Sequence, residues 1–218
     1  MTHRVIEGGV SRSFPEAHSL LQSASADGAI AVSIGDKAGE HFAALPNKDK
    51  YTAILVELGT ECLGEHTGEG RGEEGGNVLG FARFRMGDAA PSNLVEIVRQ
   101  PCTDDGAVAA ARALFEKHGL KTAVCADFPG RIVDRLVRPY LNAALGRLDA
   151  KLATAADMDL TLRLGLGYPE GPIELLNRSG LAAHHDVTQA LYVALGNPAY
   201  APARRAQVAK ARQLKGQS

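Results

Sequence analysis

Between Leu164 and Leu176 the chain reads LGLGYPEGPIELL, and this punctuation restricts what can surround it. Apolar residues at helical spacing stand on both sides, so the stretch is expected to stop one helix and start another. Gly165 and Gly167 suit a left-handed helix C-terminus, Pro169 blocks propagation, and Pro172 fits the first turn of the next helix. Taken alone, the segment is a connector between two packed helices.

The flanking sequence extends this helical pattern. From Pro129 onward, Ile132, Val133, Leu136, Val137, Tyr140, Leu141, Ala144, Leu145 and Leu148 recur at steps of one, three and four, which predicts one long, buried helix. Thr154 with Asp157 three residues later makes a capping-box-like start, and Leu160, Leu162, Leu164 and Leu166 give the helix that follows a broad apolar surface. A further helix is predicted from about Ile173 to Arg178, ended by Gly180, and another over His184 to Leu195. The basic tail from Ala203 to Ser218 is expected to fray.

The first 128 residues read differently. Short β-prone runs at Ala29 to Ile34, Thr52 to Leu58, Val78 to Phe84, Leu94 to Val98 and Thr122 to Cys125 alternate with helical stretches near Pro15 to Ala24 and Asp104 to His118. This alternation predicts a sheet flanked by helices. Gly64 to Gly76, with six glycines and four glutamates, is expected to be a mobile loop with His66 in solvent. Its glutamates would repel phosphate, which argues against a phosphate cradle.

Composition excludes several classes. With 24 basic and 25 acidic residues there is no electrostatic footprint for nucleic acid. Cys62, Cys102 and Cys125 are odd in number and lack CxxC spacing, which fits a reducing cytoplasm better than a disulfide framework or a zinc site. No apolar run approaches the roughly 20 residues of a membrane span, and no signal-peptide core opens the chain. A soluble, cytoplasmic protein is expected.

The wording of Leu164 to Leu176, of Phe128 to Asn142 (FPGRIVDRLVRPYLN) and of Thr154 to Asp159 (TAADMD) carries more than helix signals. These segments resemble the LGxGYPxGPxELLD, PGFIVNRLLxPYLNEA and SxEDID motifs of the 3-hydroxyacyl-CoA dehydrogenases, and Gly180-Leu181 and Ala194 to Pro198 also fit. The resemblance covers Asn93 to about Pro202. It implies an α/β plus all-α fold: a reduced Rossmann-like sheet domain over residues 1–127, then a 6-phosphogluconate-dehydrogenase-C-terminal-like helical domain over residues 128–218 on the dimerisation and substrate side. It also implies acyl-CoA as ligand, NAD as cofactor and a homodimer, with neither nucleic acid nor membrane as partner.

The family oxidises 3-hydroxyacyl-CoA to 3-ketoacyl-CoA with NAD in fatty-acid metabolism, and its functional positions can be carried over one at a time. A dinucleotide site needs a glycine-rich turn after a strand. This chain has no GxGxxG; the nearest stretch, Gly35-Asp36-Lys37-Ala38-Gly39, has the wrong spacing, so no cofactor-binding residue is assigned and NAD rests on resemblance alone. Roughly sixty residues precede the counterpart of the family's NTSSL, which implies a shortened Rossmann-like domain. The catalytic histidine of the family's VIGLHFFNP strand falls at Ala82 within Val78 to Arg85, and alanine takes no proton. Its glutamate partner matches Glu96, at a spacing two residues longer than the family's.

The family's substrate-binding serine falls within Gly59 to Leu63, where Thr60 alone can mimic it. Its asparagine falls at Asp134, which when ionised offers no amide donor. Arg83 and Arg85 alternate with Phe84 and either meet CoA phosphates or belong to a solvated edge strand. The pair His184-His185 has no carboxylate cluster beside it, and no metal ligand is assigned. The expectation is a divergent family member that lacks full dehydrogenase chemistry on its own; the alternative is an acyl-CoA-binding or dimer-forming companion without catalysis.

Overall fold

In the computed structural model, which describes residues 2–70, 72 and 74–216, the chain divides into two units. One comprises Met1–Arg85 with Ala90–Ile132, the other Met86–Ala89 with Val133–Ser218.

The first unit runs β1 (His3–Glu7), α1 (Ser19–Gln22), β2 (Ile30–Ile34), α2 (Ala38–Ala44), β3 (Ala53–Glu57), α3 (Gly64–Thr67), β4 (Gly75–Gly76), β5 (Val78–Arg83), β6 (Leu94–Arg99), β7 (Cys102–Thr103), α4 (Asp105–Lys117) and β8 (Lys121–Ala126). The main sheet has the order β1-β2-β3-β5-β6-β8, parallel throughout except for the antiparallel β5–β6 pair. Every residue of β2 and β3 is buried. Their alternate residues explain why: Ile30, Val32, Ala53 and Leu55 pack with α4 on one side, while Ala31, Ile54 and Val56 pack with Ala38 and Phe42 of α2 on the other.

Three local expectations change. The helix near Pro15 to Ala24 shrinks to the single turn α1, and a strand not anticipated, β1, forms one edge of the sheet. The glycine-rich stretch holds the turn α3 and strand β4, which pairs with β7 through Gly75–Cys102 and Gly76–Thr103; Arg71 and Glu73 within it lie outside the described residues. His66 is not out in solvent: it is half-buried, 3.6 Å from the Glu61 carboxylate.

The second unit is helical, with α5 (Arg131–Asp149, its residues from Val133 on), α6 (Ala155–Leu166), α7 (Pro172–Ser179), α8 (Leu181–Leu195) and α9 (Arg204–Leu214). Thr154 caps α6 by accepting the Asp157 N–H at 3.1 Å, and Gly167 ends it in the left-handed region at φ 69°. Pro172 opens α7. The Asp159 carboxylate, reaching from α6, accepts the N–H groups of Ile173 at 2.8 Å and Glu174 at 3.1 Å, so the punctuated corner is closed by a buried cap. Gly171 must lack a Cβ there, because one would run into Asp159. Helix α8 starts three residues before the expected His184, directly after Gly180. The tail is helical from Arg204 to Leu214, with Arg204 and Arg205 both bonded to Asp149. Among the described residues no helix is long and apolar enough to cross a membrane.

Candidate active site

The antiparallel register of β5 and β6 sets Ala82 directly opposite Glu96, so the two positions carried over from the family's base and its partner meet across one rung. Both are buried, at 7% and 3% exposure. Glu96 Oε1 accepts the Ile132 N–H at 2.9 Å, which places its charge at the start of α5, where the helix dipole favours an anion. With alanine opposite Glu96, the rung holds no imidazole to take a proton from a hydroxyl.

Thr60 lies in the loop that leaves β3, and its carbonyl accepts the Gly130 N–H at 2.9 Å. That contact brings the loop 59–61 to the turn that opens α5. Arg131 reinforces it: in the left-handed region at φ 50° and 5% exposed, it donates through its guanidinium to the Glu61 carbonyl at 3.4 Å and to the Gly59 carbonyl. The family motif has phenylalanine here, so this buried cation is a departure. Cys62 and Cys125 supply no nucleophile in exchange. Burial, with the Asp127 charge adding to it at Cys62 and Glu96 at Cys125, pushes both thiols up to about 11, so they stay protonated at neutral pH.

Strand β5 ends at Arg83, so strand alternation does not extend to Arg85, which is half-buried beyond it. Arg83 donates to the carbonyls of Ser13 at 2.8 Å, Ser92 at 2.9 Å and Pro91 at 3.3 Å and stacks over the Phe14 ring. Its fork ties the segment at Ser13 to the segment Pro91-Ser92 and is not aimed at a phosphate.

In the helical unit Asp134 accepts from Arg138 Nε at 2.7 Å. Arg138 is buried and also donates to His184 Nδ1 at 3.1 Å; the His184 Nε2–H then donates to Asn142 Oδ1 at 3.0 Å, and Asn142 to the carbonyls of Ala199 and Ala201. Burial first, then the Arg138 charge, pushes His184 down to about 3, so the imidazole is neutral. Asp134 is therefore a charge-paired acceptor, and His184 is part of the scaffold. Among the described residues no group of three or more His, Cys, Asp or Glu side chains is placed to hold a metal ion.

At the C-terminal ends of β1, β2 and β3, where an open α/β sheet presents its ligand crevice, Gly35, Asp36, Gly39, Glu57, Gly59 and Glu61 help to line a cavity of about 270 Å³. Glu57, 6% exposed, dominates it. One carboxylate oxygen accepts the Ser13 N–H at 2.7 Å and the Ser11 hydroxyl at 3.0 Å, the other the Gly35 N–H at 2.6 Å. The residues present do not fit a dinucleotide phosphate, since the amides that would receive it already hold a carboxylate. Sequence reasoning missed Glu57, although a glutamate closing the apolar run AILVE two residues before Gly59 was the available signal.

The fold is a Rossmann-like sheet domain followed by a helical domain. The crystal structure of (S)-3-hydroxybutyryl-CoA dehydrogenase from Ralstonia eutropha shares it, with a TM-score of 0.70 at 23% identity over 85% of this chain and 66% of that one. Residues 130–218 match the family described as 3-hydroxyacyl-CoA dehydrogenase, C-terminal domain, so the helical part of this chain is a domain of that family. It is 34% identical to the 3-hydroxybutyryl-CoA dehydrogenase of Bradyrhizobium diazoefficiens over 109 residues, 50% of this chain and 37% of that protein. It is 38% identical to the mitochondrial hydroxyacyl-coenzyme A dehydrogenase of Homo sapiens over 102 residues, 46% and 32% respectively. The matching stretches thus span about a third of these relatives' own length.

Proposed function

We propose that this chain is a divergent 3-hydroxyacyl-CoA dehydrogenase family protein that does not carry out the family's NAD-dependent oxidation on its own. The observation that carries the reading is the Ala82–Glu96 rung: the carboxylate is in place and committed to the Ile132 N–H, while its partner position holds a methyl group. Transfer of the hydroxyl proton by a positioned base contributes about 10²–10⁴-fold to such a reaction. Following nicotinamide absorbance with acetoacetyl-CoA and NADH tests this. No enzyme-proportional oxidation is expected, and clear turnover would overturn the reading.

A second reading, an acyl-CoA-binding or dimer-forming companion, is favoured by the exposed leucines of α6. Leu160, Leu164 and Leu166 stand exposed, the last two at 79% and 64%, with Leu136 of α5 exposed as well. Leucines repeated along one exposed stretch are costly to leave in water and suit a second copy of the chain. Sedimentation at rising concentration tests the dimer, and a monomer throughout would sink it. Calorimetry with acetoacetyl-CoA tests the ligand, and no heat at millimolar concentration would exclude it. The three free thiols support a cytoplasmic location.

A further inference from the structure

We infer that Glu57 and Asp36 are resident anions that fill the phosphate positions at the ends of β1 and β2, so that this sheet domain does not take NAD. The inference goes beyond the missing base, which by itself leaves cofactor binding untouched.

A dinucleotide pyrophosphate is held in folds of this kind by backbone N–H groups in the turn after the first strand, by a glycine that lets it come close, and by the N-terminus of the helix that follows. Each of the three is diverted in this chain. The loop after β1, residues 8–13, leads to no helix; the next one is the single turn α1. Its Ser13 N–H and Ser11 hydroxyl point at Glu57, joined there by the Gly35 N–H from the turn after β2. The close-approach glycine is Gly9, at φ 86°, and a Cβ on it would run into Asp36 Oδ1, so that carboxylate already uses the space. A carboxylate accepting three donors is an oxyanion site already filled.

Charge acts in the same direction. A phosphate within about 5 Å of the buried Glu57 carboxylate would lose on the order of a hundredfold in affinity to repulsion alone. Asp36 and Glu61 line the same cavity, and Arg12 is the cation beside them.

The experiment uses the full chain and reads binding, not turnover. Calorimetric titration with NADH, and separately with inorganic pyrophosphate, is expected to give no saturable heat at millimolar ligand. The Glu57→Ala variant frees the three donors. Its unfolding temperature is expected to rise in phosphate over chloride at matched ionic strength by about 3–6 °C more than the parent's does at ten times the phosphate dissociation constant, the parent showing only the non-specific stabilisation that phosphate gives any folded chain. Should Glu57→Ala fail to fold, Glu57→Ser also withdraws the side chain from the three donors and is expected to gain pyrophosphate binding that the parent lacks. One-to-one NADH binding by the parent at micromolar concentration overturns the inference, as does a phosphate response no larger than the parent's in every folded variant. NADH binding without turnover would overturn this inference and leave the lost-base reading standing; turnover would overturn both.

Discussion

The Tyr200 hydroxyl donates to the Arg135 carbonyl at 3.0 Å, the α5 acceptor whose helical donor Pro139 removes. Proline inside a helix lacks the N–H owed to the carbonyl four residues earlier, and here a tyrosine from the turn before α9 supplies the hydrogen. Tyr200→Phe is expected to lower stability by about 1 kcal/mol, read as a fall in the denaturant midpoint at unchanged slope. An unchanged midpoint would mean that the proline is tolerated without this bond.

Asp159 closes the α6–α7 corner with two backbone N–H bonds. Asp159→Ala leaves those donors at a buried helix start and is expected to cost about 1–2 kcal/mol, with Asp159→Asn retaining part of that. Thermal unfolding of the three proteins side by side checks the ranking.

His184 makes stability depend on acidity. The unfolded imidazole takes its proton near 6.5 and the folded one only near 3, so between these values the unfolded chain holds more protons. Stability is therefore lost as the pH falls below about 6.5, at up to about 1.4 kcal/mol per pH unit from this residue, and above that value His184 adds no slope. His184→Gln is expected to flatten the curve of denaturant midpoint against pH across this window, whatever its stability at neutral pH.

Leu164→Lys separates assembly from folding. The position is exposed, so the monomer's stability should change by less than about 0.5 kcal/mol, while a charge there is expected to abolish the self-association proposed above. Sedimentation and thermal unfolding of the same sample report the two effects independently.

Arg83→Lys replaces a planar fork that bridges three carbonyls by a single ammonium. The substitution is expected to cost about 1–2 kcal/mol in stability and to leave any calorimetric signal with acetoacetyl-CoA unaltered. A selective loss of that signal would return Arg83 to the ligand side.

What the sequence made legible was local chemistry. Thr154, Gly167 and Pro172 act within a few residues of themselves, so the α6–α7 corner could be read directly. The apolar runs of β2, β3, β5 and β6 were equally plain, being buried on both faces or nearly so. Ala82 and Glu96 could be matched through the family motifs despite two extra residues, because these fall in the connection 84–93 and leave the paired register intact. What stayed hidden depends on distant partners. Edge strand β1, reading HRVIE, mixes charge with apolar residues and gains its identity by pairing with β2. Glycines 75 and 76 become a strand only beside Cys102 and Thr103. Glu57 has meaning only with Ser11, Ser13 and Gly35 around it, and nothing within five residues of it announces them.

The mixed direction of the sheet bears on how the chain acquires it. Strands β5 and β6 are joined by residues 84–93, whereas each parallel neighbour is reached only through a longer crossover, 8–29, 35–52, 58–77 or 100–120. Closing a short loop costs less entropy, so the antiparallel pair is expected to form first and to template the slower parallel additions on either side. The rung that holds Ala82 against Glu96 would then belong to the folding nucleus, and the pairing would persist for reasons of assembly speed even where it no longer serves a reaction.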